Sequence, residues 1–208
     1  MDDAHPLAST SELADLTNAF IDRQVGRMPL VGCTPANASL FEASYKELLA
    51  CLEPSVATDR FLFGTRPSLA DFALYGQLKT LRSDPTPGAI MRETAPRTHH
   101  WVGRLDDTSG VDGAWDRLED LPPSVEGLLR LAGRYYLPYL DANSRAMEAG
   151  RENIEVELAG HTYAQPTFRF HGKCWSYLQH AYSALPDAAR TQLAPLLDST
   201  GCLRFLAG

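Results

Sequence analysis

The sequence predicts an all-α domain. Apolar residues recur at 3.6-residue spacing in one segment after another. Strand-like alternation occurs once, where Ile154, Val156 and Leu158 are interleaved with Glu155 and Glu157. No strand–helix–strand alternation occurs, so the sheet content reduces to at most one short hairpin before Gln165-Pro166. The 208 residues read as a single helical domain over 1–208. A chain of this length buries roughly 70% of its unfolded surface, so its core needs no metal or disulfide.

The elements follow in order. Ser11 is the expected N-cap of a helix to about Val25, with Leu13, Leu16, Phe20 and Ile21 at helical spacing and Gly26 as its stop. Thr34-Pro35 reads as the N-cap and first residue of a second helix. That helix carries Phe41, Tyr45, Leu48, Leu49 and Leu52 on one face and ends before Pro54, because proline disfavours helical geometry at Glu53. The third helix starts at Ser68 and is apolar on nearly every side through Leu78, which predicts a helix buried in the middle of the domain. Ser83-Asp84-Pro85-Thr86-Pro87-Gly88 reads as a turn, followed by short helices over 89–94 and 97–106. Thr108–Gly113 is a loop. Pro122-Pro123-Ser124 opens a long helix with Val125, Leu128, Leu129, Ala132, Tyr135, Tyr136 and Tyr139 at core spacing, kinked by Pro138. Helices over 171–185 and 186–198 complete the count.

Charge and composition exclude several functions. Acidic residues outnumber basic ones, 26 to 19, giving a net charge of −7 and a pI near 5.3. The chain has no basic stripe to neutralise phosphates, which argues against a duplex nucleic-acid partner. No apolar run approaches the length needed to span a bilayer, about 18 residues. The acidic start, Met1-Asp2-Asp3, is unlike a signal peptide, so a cytoplasmic location is expected. Cys33, Cys51, Cys174 and Cys202 form no CxxC pair and read as reduced, mostly buried thiols.

The start of the third helix is the most specific local signal. Ser68 can accept a bond from the Asp71 amide, while the Asp71 carboxylate reaches back to the Ser68 amide. The spacing makes this pair a structural cap rather than a catalytic one. The surrounding run, Phe61-Leu62-Phe63-Gly64-Thr65-Arg66-Pro67-Ser68-Leu69-Ala70-Asp71-Phe72, resembles the helical C-terminal domain of the glutathione transferase superfamily. The two preceding helices are similar to the first two of that domain. Phe168–Cys174 and the tail Leu196–Cys202 resemble the end of a larger bacterial branch.

The resemblance implies a helical domain that normally follows a thioredoxin-like half, which binds glutathione and supplies the thiol-activating residue. The 67 residues before Ser68 already read as two helices, so that half is expected to be absent from this chain. The expected cofactor list is therefore none in this chain, with glutathione available only through a partner domain. An exposed apolar patch should mark where such a partner docks, unless residues 1–10 or a second subunit of a dimer cover it.

Three constellations could carry chemistry. His99 and His100 point about 100° apart on a helix and make poor joint metal ligands, although His100 would serve as an acid or base if it faced a pocket. His171 and Cys174, three apart, would share a helix face as a thiol–imidazole pair; a buried Cys and a satisfied His explain them equally. His180 lies half a turn away from that face. Tyr135, Tyr136 and Tyr139, with Trp101 and Trp115, would line an apolar pocket; by the resemblance the electrophile sits against the first helix, where Phe20, Arg23 and Arg27 would face the cleft, the arginines binding a carboxylate. A core aromatic cluster and two solvated arginines are the alternative. No metal site is expected.

The leading functional expectation is a transferase-like domain that supplies the side of a thiol-transfer or isomerisation site binding a small apolar substrate. A non-catalytic module binding a ligand or protein is the second. A stand-alone enzyme that reuses the cleft without glutathione, through His100, His171 or Cys174, is the third.

Overall fold

Two buried clusters organise the chain, and one helix feeds both. The computed structural model describes residues 9–56 and 60–207. Helix α2 (Ala38–Leu52) places Leu49 and Leu52 in the first cluster, with Leu78, Met91, Trp101, Val102, Leu105 and Val125. The same helix places Leu40 in the second, with Leu137, Leu140, Ile154, Leu158, Tyr163, Trp175 and Cys202. Leu129 packs against both. Each fully buried leucine contributes about 1.5–3 kcal/mol by leaving water.

Helix α1 (Thr10–Arg27) starts two residues away from its expected cap. Ser9, not Ser11, is the N-cap: its hydroxyl accepts from the Glu12 amide, and Glu12 accepts from the Ser9 amide at 2.8 Å. The reason is spacing, since a carboxylate stands three residues after Ser9 whereas Ala14 stands three after Ser11. Gly26 does not stop the helix. The chain runs on into a 3₁₀ turn, Met28–Val31, because Pro29 has no N–H to extend an α-helix, and it reverses at Gly32 with φ +72°. No residue of α1 is buried.

Thr34 makes no side-chain cap; Pro35–Asn37 form a 3₁₀ turn that leads into α2. Asn37 ties that turn down, donating to Gly32 O at 2.7 Å and to Ala164 O at 3.0 Å. Helix α2 stops before Pro54, as its sequence requires.

Helix α3 (Leu69–Ser83) has the expected capping box at Ser68 and Asp71. The Asp71 carboxylate also accepts from Leu62 N at 2.9 Å, so one fully buried carboxylate holds both the helix start and the loop before it. The rest of α3 departs from expectation. Only Asp71 and Leu78 are buried, while Leu69 is 86% and Phe72 44% exposed. An all-apolar sequence marks what a helix can bury, but the described residues put no element over this face.

The segment read as a turn at 83–88 is mostly helix: Asp84 accepts from Thr86 N and caps α4 (Pro85–Thr94). Pro85 and Pro87 sit in the first turn, where missing N–H groups cost nothing. Helix α5 (Pro96–Arg104) starts at Ala95, which cannot cap. Glu53 of the α2 end does so instead, accepting from Arg97 N at 3.0 Å and Thr98 N at 2.9 Å.

Helix α6 (Pro123–Leu131) runs through a π-turn, Ala132–Tyr136, into α7 (Leu137–Glu148). Pro138 lacks an N–H, and the chain answers with this wide turn just before it instead of a sharp kink. Strands β1 (Asn153–Leu158) and β2 (His161–Pro166) pair antiparallel, with Leu158 opposite His161. Helices α8 (Arg169–Ser183), α9 (Asp187–Ser199) and the short α10 (Leu203–Leu206) finish the chain. The last was too short to leave a periodic signal.

Candidate functional site

Helix α8 is the element that gathers functional groups. Asn143 of α7 fixes where it begins: its side chain donates to Phe168 O at 3.1 Å and accepts from Phe168 N at 2.8 Å. From that start, His171, Cys174 and Leu178 fall at i, i+3 and i+7 along one face, with Phe170 and Tyr177 beside them.

An open cleft of about 380 Å³ lies on this face, lined by Tyr136, Phe170, Lys173, Cys174, Tyr177 and Leu178. Phe170 and Tyr177 are exposed, so the cleft wall is aromatic and open to solvent. The Cys174 thiol lies against the Tyr136 hydroxyl. Burial, and then this contact with Cys174, raises the Tyr136 pKa above the ordinary tyrosine value.

Behind the cleft runs a directed chain of hydrogen bonds. Tyr163 donates to Gln165 Oε1 at 2.6 Å, and Gln165 Nε2 donates to the Tyr139 oxygen at 2.7 Å. The Tyr139 hydroxyl also shares a hydrogen bond with His171 Nδ1, 2.5 Å away. Burial lowers the His171 pKa below the ordinary imidazole value. Burial, with the adjacent Tyr163 phenol, raises Tyr139 far above the usual range, and burial pushes Tyr163 up to about 12. These tyrosines therefore stay protonated at neutral pH.

The sequence-derived substrate residues occupy three environments rather than one cleft. Arg23 stacks over Phe20 on α1, 5.6 Å from the ring centre, and Arg27 is exposed on the same helix. Tyr135 donates to Glu47 at 2.9 Å, beside an Arg134–Glu47 ion pair at 3.1 Å. Tyr139 is buried in the second cluster. The π-turn explains this divergence. Its extra residue rotates the following positions, so Tyr136 reaches the cleft while Tyr139 turns inward. The aromatic stripe grouped Tyr136 with Tyr135 and Tyr139 as pocket residues, and of the three only Tyr136 lines the cleft on α8.

His171 and Cys174 do share a face, but the imidazole Nδ1 is committed to Tyr139. His100 is exposed on α5 and lines a different cavity, of about 480 Å³, with Arg97 and Trp101. Its neighbour His99 accepts from Arg82 Nε at 3.3 Å. Among the described residues, no three His, Cys, Asp or Glu side chains group as metal ligands do. Among the described residues, no helix is long and apolar enough to cross a membrane.

Residues 32–104 match the family described as glutathione S-transferase, C-terminal domain. The likeness is confined to this stretch. It spans roughly a third of the chain, from Gly32 through α2, α3, α4 and α5, and contains the Ser68–Asp71 capping box. The all-α architecture with one short antiparallel hairpin agrees with such a glutathione-transferase-like domain. No curated protein and no solved structure matches the chain. The cleft on α8 lies outside the matched stretch, so its chemistry rests on its own geometry.

Proposed function

We propose that this chain supplies the apolar-substrate side of a glutathione-transferase-like site for thiol transfer or isomerisation, with a thioredoxin-like partner bringing glutathione. The observation that carries this reading is the aromatic cleft on α8, where Phe170, Tyr177 and Leu178 surround the Cys174 thiol and Tyr136 hydroxyl. Such a cleft binds a flat apolar molecule and offers one phenol to a polar atom on it. The open face at Leu69 and Phe72 on α3 supports the partner, being apolar surface within the family's own helical core. Among the described residues the one sheet is the β1–β2 hairpin, so the described residues hold no strand layer of the thioredoxin type.

A stand-alone thiol–imidazole enzyme is less favoured. His171 Nδ1 is engaged by Tyr139, so that nitrogen is not free to take a proton from Cys174.

Alkylation of Cys174 tests the ligand site. Maleimide labelling, mapped by mass spectrometry, is followed with and without anilinonaphthalene sulfonate as an apolar aromatic probe. The proposal expects the probe to slow labelling of Cys174 several-fold while leaving Cys33 and Cys51 unchanged. Phe170→Ser and Tyr177→Ser, both exposed positions, should abolish protection and probe fluorescence together. Unchanged Cys174 labelling at saturating probe refutes the cleft as the ligand site.

A further inference from the structure

Helix α5 carries a cavity of its own, apart from the cleft on α8. Arg97, His100, Trp101 and Arg104 stand at i, i+3, i+4 and i+7, so they fall within an arc of about 100° on one face of the helix. All four line the cavity of about 480 Å³, and Pro54, Val56 and Pro96 complete its wall. The two cavities share no lining residue.

The lining is one-sided in charge. It holds two guanidinium groups and an imidazole but no carboxylate, in a chain whose net charge is −7. The acid that meets this end of α5, Glu53, is already engaged: its carboxylate accepts from Arg97 N, Thr98 N and Thr98 Oγ1. Among the described residues, no carboxylate forms an ion pair with the Arg97 side chain. Trp101 points independently to a missing partner. It is 1% exposed, and among the described residues nothing accepts a hydrogen bond from its indole N–H. A buried donor without an acceptor costs stability, and an oxygen bound in this cavity would supply the acceptor.

We infer that the α5 cavity binds a small organic carboxylate with an apolar body. The planar carboxylate would meet the Arg97 guanidinium in two parallel hydrogen bonds, with His100 and the Trp101 indole as further donors. Its apolar part would lie against Pro54, Val56 and Pro96. A phosphate group suits the site less well. Phosphates draw on the free amides of a helix start, and Glu53 already holds those of α5.

NMR of the tryptophan indole N–H groups tests it, with the Trp101 signal assigned from Trp101→Phe. The probe is naphthoate; naphthalenemethanol is its neutral counterpart, and inorganic phosphate is the competing anion. Naphthoate should shift the Trp101 signal saturably, and the alcohol should bind at least tenfold more weakly. Arg97→Gln, at an exposed position, should weaken naphthoate binding roughly tenfold, and His100→Gln severalfold. Circular dichroism checks that both variants stay folded. Phe170→Ser, in the α8 cleft, should leave the Trp101 titration unchanged. A Trp101 signal that does not move at millimolar naphthoate overturns the inference. So does equal binding of the alcohol, which would make the cavity merely apolar. Phosphate binding as tight as naphthoate also overturns it, by assigning the site to phosphoryl groups, as does unchanged affinity in both Arg97→Gln and His100→Gln.

Discussion

Replacing Asp71 with alanine should be among the most damaging single changes outside the cores, and its size follows from three contacts. The carboxylate accepts from Leu62 N at 2.9 Å, from Ser68 N at 2.8 Å and from Ser68 Oγ at 2.5 Å, and it is fully buried. Loss of a helix cap alone costs about 1 kcal/mol. Each buried amide left without an acceptor adds about 1–3 kcal/mol. Water reaches neither site freely, since Leu62 is 3% exposed and Ser68 half-buried. The sum for Asp71→Ala is about 3–7 kcal/mol. In a chain of this size that lowers Tm by roughly 10 °C or more. Asp71→Asn keeps one oxygen and should cost about half as much, and Ser68→Ala about 1 kcal/mol. Urea unfolding at pH 7, followed by circular dichroism and tryptophan fluorescence, reads all three. A loss below about 1 kcal/mol for Asp71→Ala would show that the carboxylate caps the helix and nothing more, refuting the double role assigned to it. Binding of the apolar probe on α8 should survive in whatever fraction of the variant remains folded.

Two further changes probe the second cluster. At Gly133 in the π-turn, a Cβ would lie 2.3 Å from the Thr200 carbonyl oxygen, so Gly133→Ala must push α9 away; a loss of roughly 1–3 kcal/mol in urea unfolding is expected, and no loss would contradict the close packing of this turn. Burial lowers the His171 pKa, and burial with Arg82, Arg92 and His100 lowers that of His99. Their folded values therefore lie below the unfolded value of about 6.5. The unfolded chain takes up protons first, so stability is complete above that value and falls as pH drops towards the folded pKa. His171→Gln should flatten part of this slope in melts taken between neutral and mildly acidic pH, whereas an unchanged slope would remove His171 from the account.

The parts of the fold legible in sequence are those written within a few consecutive residues. The Ser68–Asp71 cap needs only four residues, and Pro54 and Pro123 act on their immediate neighbours, so each was readable. Competing signals misled the reading where they lie close together: Ser9 and Ser11 can both cap, and only the carboxylate at Glu12 chooses between them. Gly26 and Gly32 can both end a helix, and Pro29 between them decides. Burial was the least legible property. The apolar composition of α3 predicted a covered helix, yet whether Leu69 and Phe72 are covered depends on neighbours that no local pattern encodes. The cleft was half legible. Periodicity on α8 joined His171 to Cys174, but the partner residue Tyr136 depends on a π-turn, and the commitment of His171 to Tyr139 depends on a hairpin glutamine far away in sequence.

The central claim is that the apolar half of a transferase-like site resides here and the glutathione half does not. Calorimetric titration of the purified chain with glutathione, and then with a glutathione conjugate bearing an apolar S-substituent, addresses it most directly. The account predicts measurable binding of the conjugate, lost in Phe170→Ser, and none of glutathione alone. Glutathione binding as tightly as its conjugate would contradict it, because the thiol site would then lie within this chain.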